Sequence, residues 1–439
     1  MALWAAVLQP VPHNKASVTA GIHEDPRLSA KTSLLYAAGS IGTGAFYAFN
    51  NFVLPPILKS FGAPDLVIGL LSSTRSIEGA LIQPTVGALS DRVWTRFGRR
   101  RPFMLVGIPL SAVFFVAGAF VNSLLPLALV IFLFSIFFNV AVDPYTALLA
   151  DITPLEHRGW LSGLSTGMQL ASSVAFLLII FFATADAAGI PLWIYVLVAA
   201  ILVISFGITV VGIHERRELA DEKTPGEPRR LPLRAYADAI LEQRQAVRYL
   251  GTLFVYQFGL NAILPYLVLF IVQDIHQTEQ VAFGLSAMLL VVTALAAVSF
   301  GKLADRIGTR RVLAIGWGLL AVSAVAGVLI TTLAETVVVV VLAGVGNGAA
   351  TAVTWPLLTA LIPPERTGVF AGLKAAAESI AIPLSVVVAA EVFLPRFGYR
   401  GIFAMLALNI ILALVLLIRF VRVPPAAEPV LAGLAATEP

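Results

Sequence analysis

The sequence predicts an all-α integral membrane protein, with twelve transmembrane helices arranged as two six-helix pseudo-repeats. Three observations support this prediction. The chain of 439 residues is 59% hydrophobic and only 12% charged, whereas soluble domains carry about 25% charged residues. Its apolar stretches are long enough, at about 20 residues each, to cross a bilayer as helices. An arginine-rich loop motif also occurs once in each half of the chain.

The predicted spans are numbered 1 to 12 in chain order. They cover residues 33–58, 66–89, 103–121, 124–150, 160–184, 190–213, 248–273, 281–301, 311–333, 336–361, 368–393 and 400–421. One long polar stretch separates span 6 from span 7. The predicted organisation is therefore a tail at 1–32, an N-terminal half at 33–213, a linker at 214–247, a C-terminal half at 248–422 and a second tail at 423–439.

Lysines and arginines concentrate on one face of the predicted membrane domain. The loops on the same face as both termini carry most of the 29 basic residues, whereas the other face has Lys59, Arg396 and Arg400. Cytoplasmic loops hold such an excess. We therefore expect both termini in the cytoplasm and the chain in the inner cell membrane as a multi-pass protein. Basic residues in short loops give no support to nucleic-acid binding.

The loops that follow spans 2 and 8 share one motif. Each begins with Gly-x-x-x-Asp-Arg at the end of a span and continues into a basic turn. Glycines allow helices to approach closely, and the aspartates can pair with loop arginines or accept from backbone N–H groups. We expect a gate that latches the two halves, although the arginines alone would also fix orientation. The candidate gating residues are Gly87, Asp91, Arg92, Gly98, Arg99, Arg100, Gly301, Asp305, Arg306 and Arg310.

A second pair of segments supports the repeat. Residues 148–164 and 358–373 match with an offset close to that of the loop motif. Parallel six-span repeats are typical of transporters, in which the substrate site lies between the halves near the middle of the membrane.

At this point the sequence resembles the major facilitator superfamily over residues 33–421. The first loop, from Gln83-Pro84 through Ser90-Asp91-Arg92 to Gly98-Arg99-Arg100-Arg101-Pro102, is similar to the sucrose–proton symporter branch. That branch is near the glycoside–pentoside–hexuronide cation symporters. The resemblance implies the major facilitator fold and alternating access. Many sodium-coupled members of the neighbouring group have an acidic residue where Gln83 stands here, so the resemblance favours protons over sodium.

Five charged residues lie deep inside predicted spans, away from the span ends: Arg75, Glu78, Asp143, Lys374 and Glu378. Each costs on the order of 2.5–3.5 kcal/mol in a bilayer. Arg75 can pair with Glu78, and Lys374 with Glu378, because each pair shares a helix face. Asp143 is then the odd carboxylate. We expect it to carry the coupling proton, as the resemblance also implies for span 4, with Glu78 as the next candidate.

Two structural interpretations of these charges stay open. Spans 2 and 11 are neighbours by resemblance, so their charges could form a static ion-pair network. The Asp143 carboxylate could instead cap backbone groups freed by Pro144.

Sugars require many hydrogen bonds and an aromatic face for stacking. By resemblance, spans 1, 4, 7 and 10 line the cavity. Each polar residue in them could instead form a helix–helix hydrogen bond. The candidate substrate-binding residues are Tyr47, Asn50, Arg75, Gln169, Tyr256, Gln257, Asn261, Trp355, Lys374 and Glu378.

We therefore expect proton-coupled symport of a sugar, such as sucrose, another disaccharide or a related glycoside. An exporter of drugs or metabolites would have a more apolar cavity, and a membrane sensor would have a large soluble domain. Enzyme activity is not expected, because no nucleophile–base pair, metal cluster or nucleotide loop is present. The expected partners are a small-molecule substrate and the lipid bilayer. We expect a functional monomer without a metal or a cofactor, with the proton as coupling ion.

Overall fold

The computed structural model describes residues 29–73, 82, 85–87, 89–90, 94–153, 157–184, 190–215, 242–363 and 367–422, without the side chains of 367–369 and 371. The predictions for Arg75, Glu78, Asp91 and Arg92 lie outside the described residues, as do most of the linker and both tails. Within these ranges the chain is almost entirely helical, and its only strand-like pairing is one bridge between Thr95 and Gly98.

The N-terminal half provides spans 1 to 6. Span 1 comprises Ala30–Ala48, Phe49–Val53 and Leu54–Ser60, and span 2 begins with Asp65–Leu71. The remaining spans are Arg101–Ala117 with Gly118–Phe120, Leu124–Ile152, Arg158–Ala183 and Leu192–Gly212.

The C-terminal half provides spans 7 to 12. Span 7 comprises Arg244–Ile263, Leu264–Tyr266 and Leu267–Gln273. The others are Glu279–Ile307, Thr309–Leu329, Leu333–Thr359, Thr367–Val388 with Ala389–Phe393, and Leu394–Phe420. Across the described ranges, nine helical runs are long and apolar enough to cross a membrane, and the run Gly372–Phe420 contains both spans 11 and 12.

The two halves pack in the same way. Span 1 contacts spans 5 and 6 while span 3 contacts spans 4 and 6; span 7 likewise contacts 11 and 12 while span 9 contacts 10 and 12. Between the halves, span 5 packs on span 8 and span 2 packs on span 11. At the first of these contacts, Gln280 Nε2 donates to the carbonyl of Phe181 across 3.1 Å. These paired contacts confirm the two six-helix pseudo-repeats.

Spans 1 and 7 lose regular α-helical geometry near a proline. Asn51-Phe-Val-Leu-Pro55 and Asn261-Ala-Ile-Leu-Pro265 have the same frame. Proline lacks the N–H that would bond to the carbonyl four residues earlier. The chain responds with a π-helical segment at Phe49–Val53 and a 3₁₀ turn at Leu264–Tyr266. The sequence repeat thus produces a matching irregularity in both halves.

Candidate functional site

A cavity of about 750 Å³ lies between the two halves. Small-molecule sites commonly measure about 300–1,000 Å³. Spans 1, 4 and 5 contribute much of the wall from the N-terminal half, and spans 7, 8 and 10 much of the wall from the C-terminal half. The polar lining residues are Tyr47, Asn51, Asn139, Asp143, Thr146, Gln169, Ser173, Ser323, Thr336 and Asn347.

Three residues predicted from the sequence as proton or substrate ligands line this cavity. They are Tyr47 of span 1, Asp143 of span 4 and Gln169 of span 5. Gly87, a predicted gating residue, lines it as well. The described structure therefore brings together one acid, one aromatic residue and one carboxamide from three different spans.

Span 4 presents a polar stripe to the cavity. Asn139, Asp143 and Thr146 follow one another at intervals of four and three residues, so they share a helix face. The Thr146 hydroxyl donates to the Asp143 carbonyl across 2.8 Å, and Asn139 Nδ2 donates to the Ser135 carbonyl, also across 2.8 Å. Pro144 lies within the continuous helix Leu124–Ile152. Asp143 thus sits on the cavity wall, part-way along an unbroken span.

The position of Gln169 depends on close contact between spans 1 and 5. A Cβ atom added at Gly44 would lie 2.2 Å from the Gln169 carbonyl oxygen, so only glycine fits there. The Ser173 hydroxyl donates to the carbonyl of Gly44 across 2.7 Å, and that of Ser172 to the carbonyl of Ile41, also across 2.7 Å. The hydroxyl groups of Ser172 and Ser173 therefore hold span 5 against span 1 by hydrogen bonds, close to Gln169 in the chain.

Asn50 lies in span 1 but does not line the cavity between the halves. It is only 4% exposed, and its Nδ2 donates to the Ser72 carbonyl across 2.9 Å. The π-helical segment directs its neighbour Asn51 to the cavity instead. The contact of Asn50 is therefore a helix–helix hydrogen bond, which was the alternative interpretation of each polar residue.

Four of the predicted ligands form a network between spans 7 and 11. Lys374 Nζ and Glu378 Oε1 form the intrahelical ion pair expected from their spacing. Gln257 Nε2 donates to Glu378 Oε1 across 2.9 Å, and Asn261 Nδ2 donates to Gln257 Oε1 across 3.3 Å. None of the four lines the cavity, although Ala375 does. In this conformation the network lies beside the cavity wall.

Tyr256 and Trp355, the other predicted ligands of the C-terminal half, are also outside the cavity lining. Tyr256 is buried and stacks on Trp317, with ring centroids 4.9 Å apart. Its hydroxyl donates to Asn347 Oδ1 across 3.4 Å. Trp355 is 37% exposed near the end of span 10. Tyr256 therefore lies behind the cavity lining and is hydrogen-bonded to one of its residues, Asn347.

Two acidic residues missed in the sequence hold the first arginine loop. Asp151 at the end of span 4 accepts from Arg99 Nη2 across 2.8 Å and from Arg100 Nε across 3.1 Å. Glu215, after span 6, accepts from the backbone N–H groups of residues 99, 100 and 101, at distances of 2.6 to 3.1 Å. Arg100 also bonds to Ser90 Oγ. The sequence did contain a signal for these contacts, because each carboxylate lies at the end of a span on the same face as the arginine-rich loop.

Gly98 makes the contact with Glu215 possible. Its φ of +104° lies in the region that favours glycine. A Cβ atom there would lie 2.7 Å from the Glu215 carboxylate. The role of this predicted gating residue in the described conformation is to let a carboxylate approach the turn.

The second arginine loop is tied to its own half. Arg310 Nη2 donates to the carbonyls of Leu417 and Ile418, at 3.4 and 2.9 Å, at the end of span 12. Asp305 and Arg306 are exposed. Each of the described contacts of Arg99, Arg100 and Arg310 is thus made within the residue's own half. A latch between the halves stays a prediction.

Gly87 and Gly301 were expected to permit close helix approach. A Cβ atom at either position would meet no described atom within 4 Å. Among the described residues, no neighbour therefore approaches these two glycines closely in this conformation, and a role in close helix approach stays a prediction.

Polar contacts join the halves at the membrane face opposite the arginine loops, which we call the opposite face. Asp65, at the start of span 2, accepts at its carbonyl from the Tyr266 hydroxyl across 2.8 Å. Asp65 Oδ1 accepts from the Tyr399 hydroxyl across 3.2 Å and from Lys59 Nζ across 2.9 Å. The bonds from Tyr266 and Tyr399 thus hold the halves together at the opposite face, while Gly87 and Thr146 line the cavity nearer to the arginine loops.

Comparisons with known proteins agree with this architecture. A family model described as MFS/sugar transport protein matches residues 35–421. Proton-associated sugar transporter A of Homo sapiens is 40% identical over 81 residues, 18% of this chain and 11% of that relative. Sucrose transport protein SUC4 of Arabidopsis thaliana is 27% identical over 167 residues, 34% of this chain and 33% of that relative. The chain thus aligns with a third or less of these relatives.

A solved structure extends the comparison to the whole fold. A D-xylose-proton symporter superposes with a TM-score of 0.67 and 16% identity, over 90% of this chain and 98% of that one. This structural likeness shows the fold, and the family match shows to which family the chain belongs. The chain, a multi-pass membrane protein, belongs to the MFS/sugar transport protein family of the major facilitator superfamily.

Proposed function

We propose that the chain is a secondary active transporter that carries a sugar together with a proton by alternating access. Sucrose, another disaccharide or a related glycoside is the proposed substrate. The observation that carries the proposal is the carboxyl group of Asp143 on the wall of a sugar-sized cavity, opposite an apolar surface and beside Tyr47 and Gln169. The names of the human and plant relatives, which refer to protons, sugar and sucrose, support it.

In this mechanism Asp143 serves both the proton and the sugar. When the proton is bound, the Asp143 carboxyl group is neutral and has an O–H that can donate a hydrogen bond. Protonated Asp143 can donate to a sugar hydroxyl, and the loaded carrier can then rock between its two open states without moving a net charge at this site. On the other side, sugar departure and rehydration favour loss of the proton. Glu78 is the second candidate for the proton.

The proposed orientation places the arginine loops and both termini in the cytoplasm of an inner-membrane protein. The opposite face is then extracellular or periplasmic, and in the described conformation hydrogen bonds join the halves there. A single chain contains both walls of the cavity, so we propose a monomer in the lipid bilayer. The mechanism uses only the proton as coupling ion and needs no metal, cofactor or enzymatic step.

Export of drugs or metabolites is the second candidate function. It is favoured by the C-terminal wall of the cavity, where Leu260, Ile263, Leu289 and Leu290 present apolar side chains. Such a wall would suit a lipophilic substrate. The polar wall of the N-terminal half favours sugar symport instead.

Transport in proteoliposomes with an imposed pH gradient tests the proposal. A panel of disaccharides, glycosides and monosaccharides is offered to the unmodified chain and to Asp143→Asn, which keeps the side-chain shape and removes the titrating group. We expect the unmodified chain to concentrate a sugar against its gradient. Asp143→Asn should lose this accumulation while still exchanging labelled sugar at equal pH.

The outcomes separate the alternatives. If Asp143→Asn still accumulates sugar on a proton gradient, the proton carrier lies elsewhere and Glu78→Gln is tested next. If no sugar is moved but a lipophilic dye is expelled, the exporter replaces the symporter. A sodium gradient that drives uptake without a pH gradient would contradict proton coupling.

A further inference from the structure

The two walls of the cavity differ in chemistry. Spans 1, 4 and 5 contribute seven of the polar lining side chains, including three carboxamides and the Asp143 carboxyl group. Among its described residues, the C-terminal half contributes Ser323, Thr336 and Asn347 as polar lining, together with many leucine, isoleucine, valine and phenylalanine side chains. The superfamily repeat therefore encloses a cavity whose polarity is not symmetric.

Most polar groups that line the C-terminal wall are already bonded within that half. The Ser323 hydroxyl donates to the Val339 carbonyl across 3.0 Å, and the Thr336 hydroxyl donates to the Thr332 carbonyl across 2.8 Å. Asn347 Oδ1 accepts from the Tyr256 hydroxyl. Among the described residues, these bonds occupy both hydroxyl hydrogens of the C-terminal wall, so Asn347 Nδ2 is the one polar lining donor of that wall that makes no hydrogen bond.

The N-terminal wall has open hydrogen-bonding capacity. Among the described residues, the carboxamides of Asn51 and Gln169 make no hydrogen bond, yet both line the cavity. Asn139 uses Nδ2 for Ser135, and its carbonyl oxygen makes no bond to a described residue. A carboxamide both donates and accepts, which matches the donor–acceptor character of a sugar hydroxyl.

We propose that the N-terminal half makes most of the hydrogen bonds to the sugar hydroxyls, through Asn51, Asn139 and Gln169 around Asp143, and that the C-terminal half is a mainly apolar wall. This inference rests on the proposed sugar–proton symport. The recognised ligand is a pyranoside that turns a hydroxyl-bearing edge to spans 1, 4 and 5 and the C–H face of a ring to spans 7, 8 and 10. Leu260, Leu289 and Leu290 pack against that C–H face.

This arrangement assigns different tasks to the halves during transport. The sugar remains hydrogen-bonded to the N-terminal half while the apolar wall moves past it. Apolar contacts are non-directional, so the wall can shift without first breaking oriented bonds. The proton on Asp143 and the sugar are then held by the same half, which keeps their binding coupled while the halves rock.

The test compares carboxamides on opposite walls. Binding of radiolabelled sucrose, or of the sugar that the transport panel identifies, is measured for the purified full-length chain and for Asn51→Ala and Asn347→Ala. Each variant removes one carboxamide from the same cavity. We expect Asn51→Ala to raise Kd by about tenfold, because it removes hydrogen bonds to a bound ligand. Asn347→Ala should change Kd by less than about threefold.

A second variant in the N-terminal half keeps the test informative if Asn51→Ala does not fold. Gln169→Ala should raise Kd by a similar factor to Asn51→Ala, and gel filtration and thermal unfolding show whether each variant is folded. An equal or larger effect of Asn347→Ala in folded protein overturns the one-sided assignment while sugar transport stands. Absence of sugar binding and uptake by the unmodified chain overturns both this inference and the proposed function.

Discussion

The hydroxyl of Tyr266 in span 7 donates to the backbone carbonyl of Asp65 in span 2 across 2.8 Å, and so joins the two halves at the opposite face. The side chain of the same aspartate accepts from Tyr399 of span 12. One residue of the N-terminal half thus restrains two spans of the C-terminal half. In the proposed alternating-access mechanism, these bonds must break whenever the opposite face opens.

Removal of the Tyr266 hydroxyl should favour the open state of this face. A net hydrogen bond contributes about 1 kcal/mol, which corresponds to about fivefold in a two-state equilibrium. We expect Tyr266→Phe to speed thiol labelling of a cysteine at Leu267, applied from the opposite face, by about that factor. The chain has no cysteine of its own, so the label reports this site alone. Unchanged labelling would contradict a gating role for the bond.

Gly69→Val should open the same face more strongly. A Cβ atom at Gly69 would lie 2.2 Å from the Tyr266 hydroxyl and 2.3 Å from Val386 Cγ1, so a side chain there pushes spans 7 and 11 away from span 2. We expect faster labelling of the same cysteine than in Tyr266→Phe. Gly251→Val is the matched control, because open space surrounds Gly251 and labelling should not change.

Glu215→Ala should destabilise the folded protein. The substitution removes the acceptor of three backbone N–H groups at the start of span 3, and loss of an acceptor for partly buried donors costs about 1–3 kcal/mol. Thermal unfolding in detergent should therefore occur at a lower temperature. Lys302→Ala, at an exposed site, serves as the control. If both variants melt alike, the carboxylate contributes little to stability.

The ion pair in span 11 should show strong coupling between its partners. Lys374→Met leaves the Glu378 carboxylate without its cationic neighbour in a low-dielectric setting, and breaking a buried pair costs roughly 3–5 kcal/mol. We expect the double variant Lys374→Met/Glu378→Gln to be more stable than Lys374→Met alone. Unfolding of the two single variants and the double variant forms a complete cycle. A double variant no better than the worse single one would argue against the pairing.

Asp305 should influence the rate of the conformational change more than sugar affinity. It is exposed at the end of span 8, within the repeated loop motif and away from the cavity lining. We expect Asp305→Asn to slow net uptake while sugar affinity stays within about threefold of the unmodified value. Initial rates and equilibrium binding on the same preparation distinguish the two effects. A loss of affinity at an unchanged exchange rate would refute the prediction.

The fold could be predicted from the sequence because its signals are long and repeated. A span is defined by about 20 apolar residues, and the loops around Asp91 and Asp305 mark equivalent positions in both halves. Asp143 could be singled out for the same reason, since a charge inside an apolar span is costly and visible. Asp143 is among the residues that line the cavity between the halves, and its role with the proton stays a prediction.

The direction of an individual side chain depends on local backbone geometry, which the periodicity of apolar residues in the sequence does not reveal. Asn50 and Asn51 are adjacent, and only the π-helical segment decides that Asn51 faces the cavity while Asn50 bonds to Ser72. The bonds from Glu215 to the first loop join residues 114 to 116 positions apart. Such a contact follows from the packing of spans 3 and 6, so one sequence without its fold does not reveal it.

The shared Asn-x-x-Leu-Pro frame of spans 1 and 7 has a mechanical consequence. An uninterrupted helix transmits a tilt along its whole length, whereas an irregular segment lets its two parts move separately. The short end pieces Leu54–Ser60 and Leu267–Gln273 follow the irregular segments. They can therefore swing inwards or outwards while the rest of each half stays still. In the proposed mechanism, a bound substrate could then be occluded by movement of these two end segments alone. The six-span halves would not have to rotate at that stage.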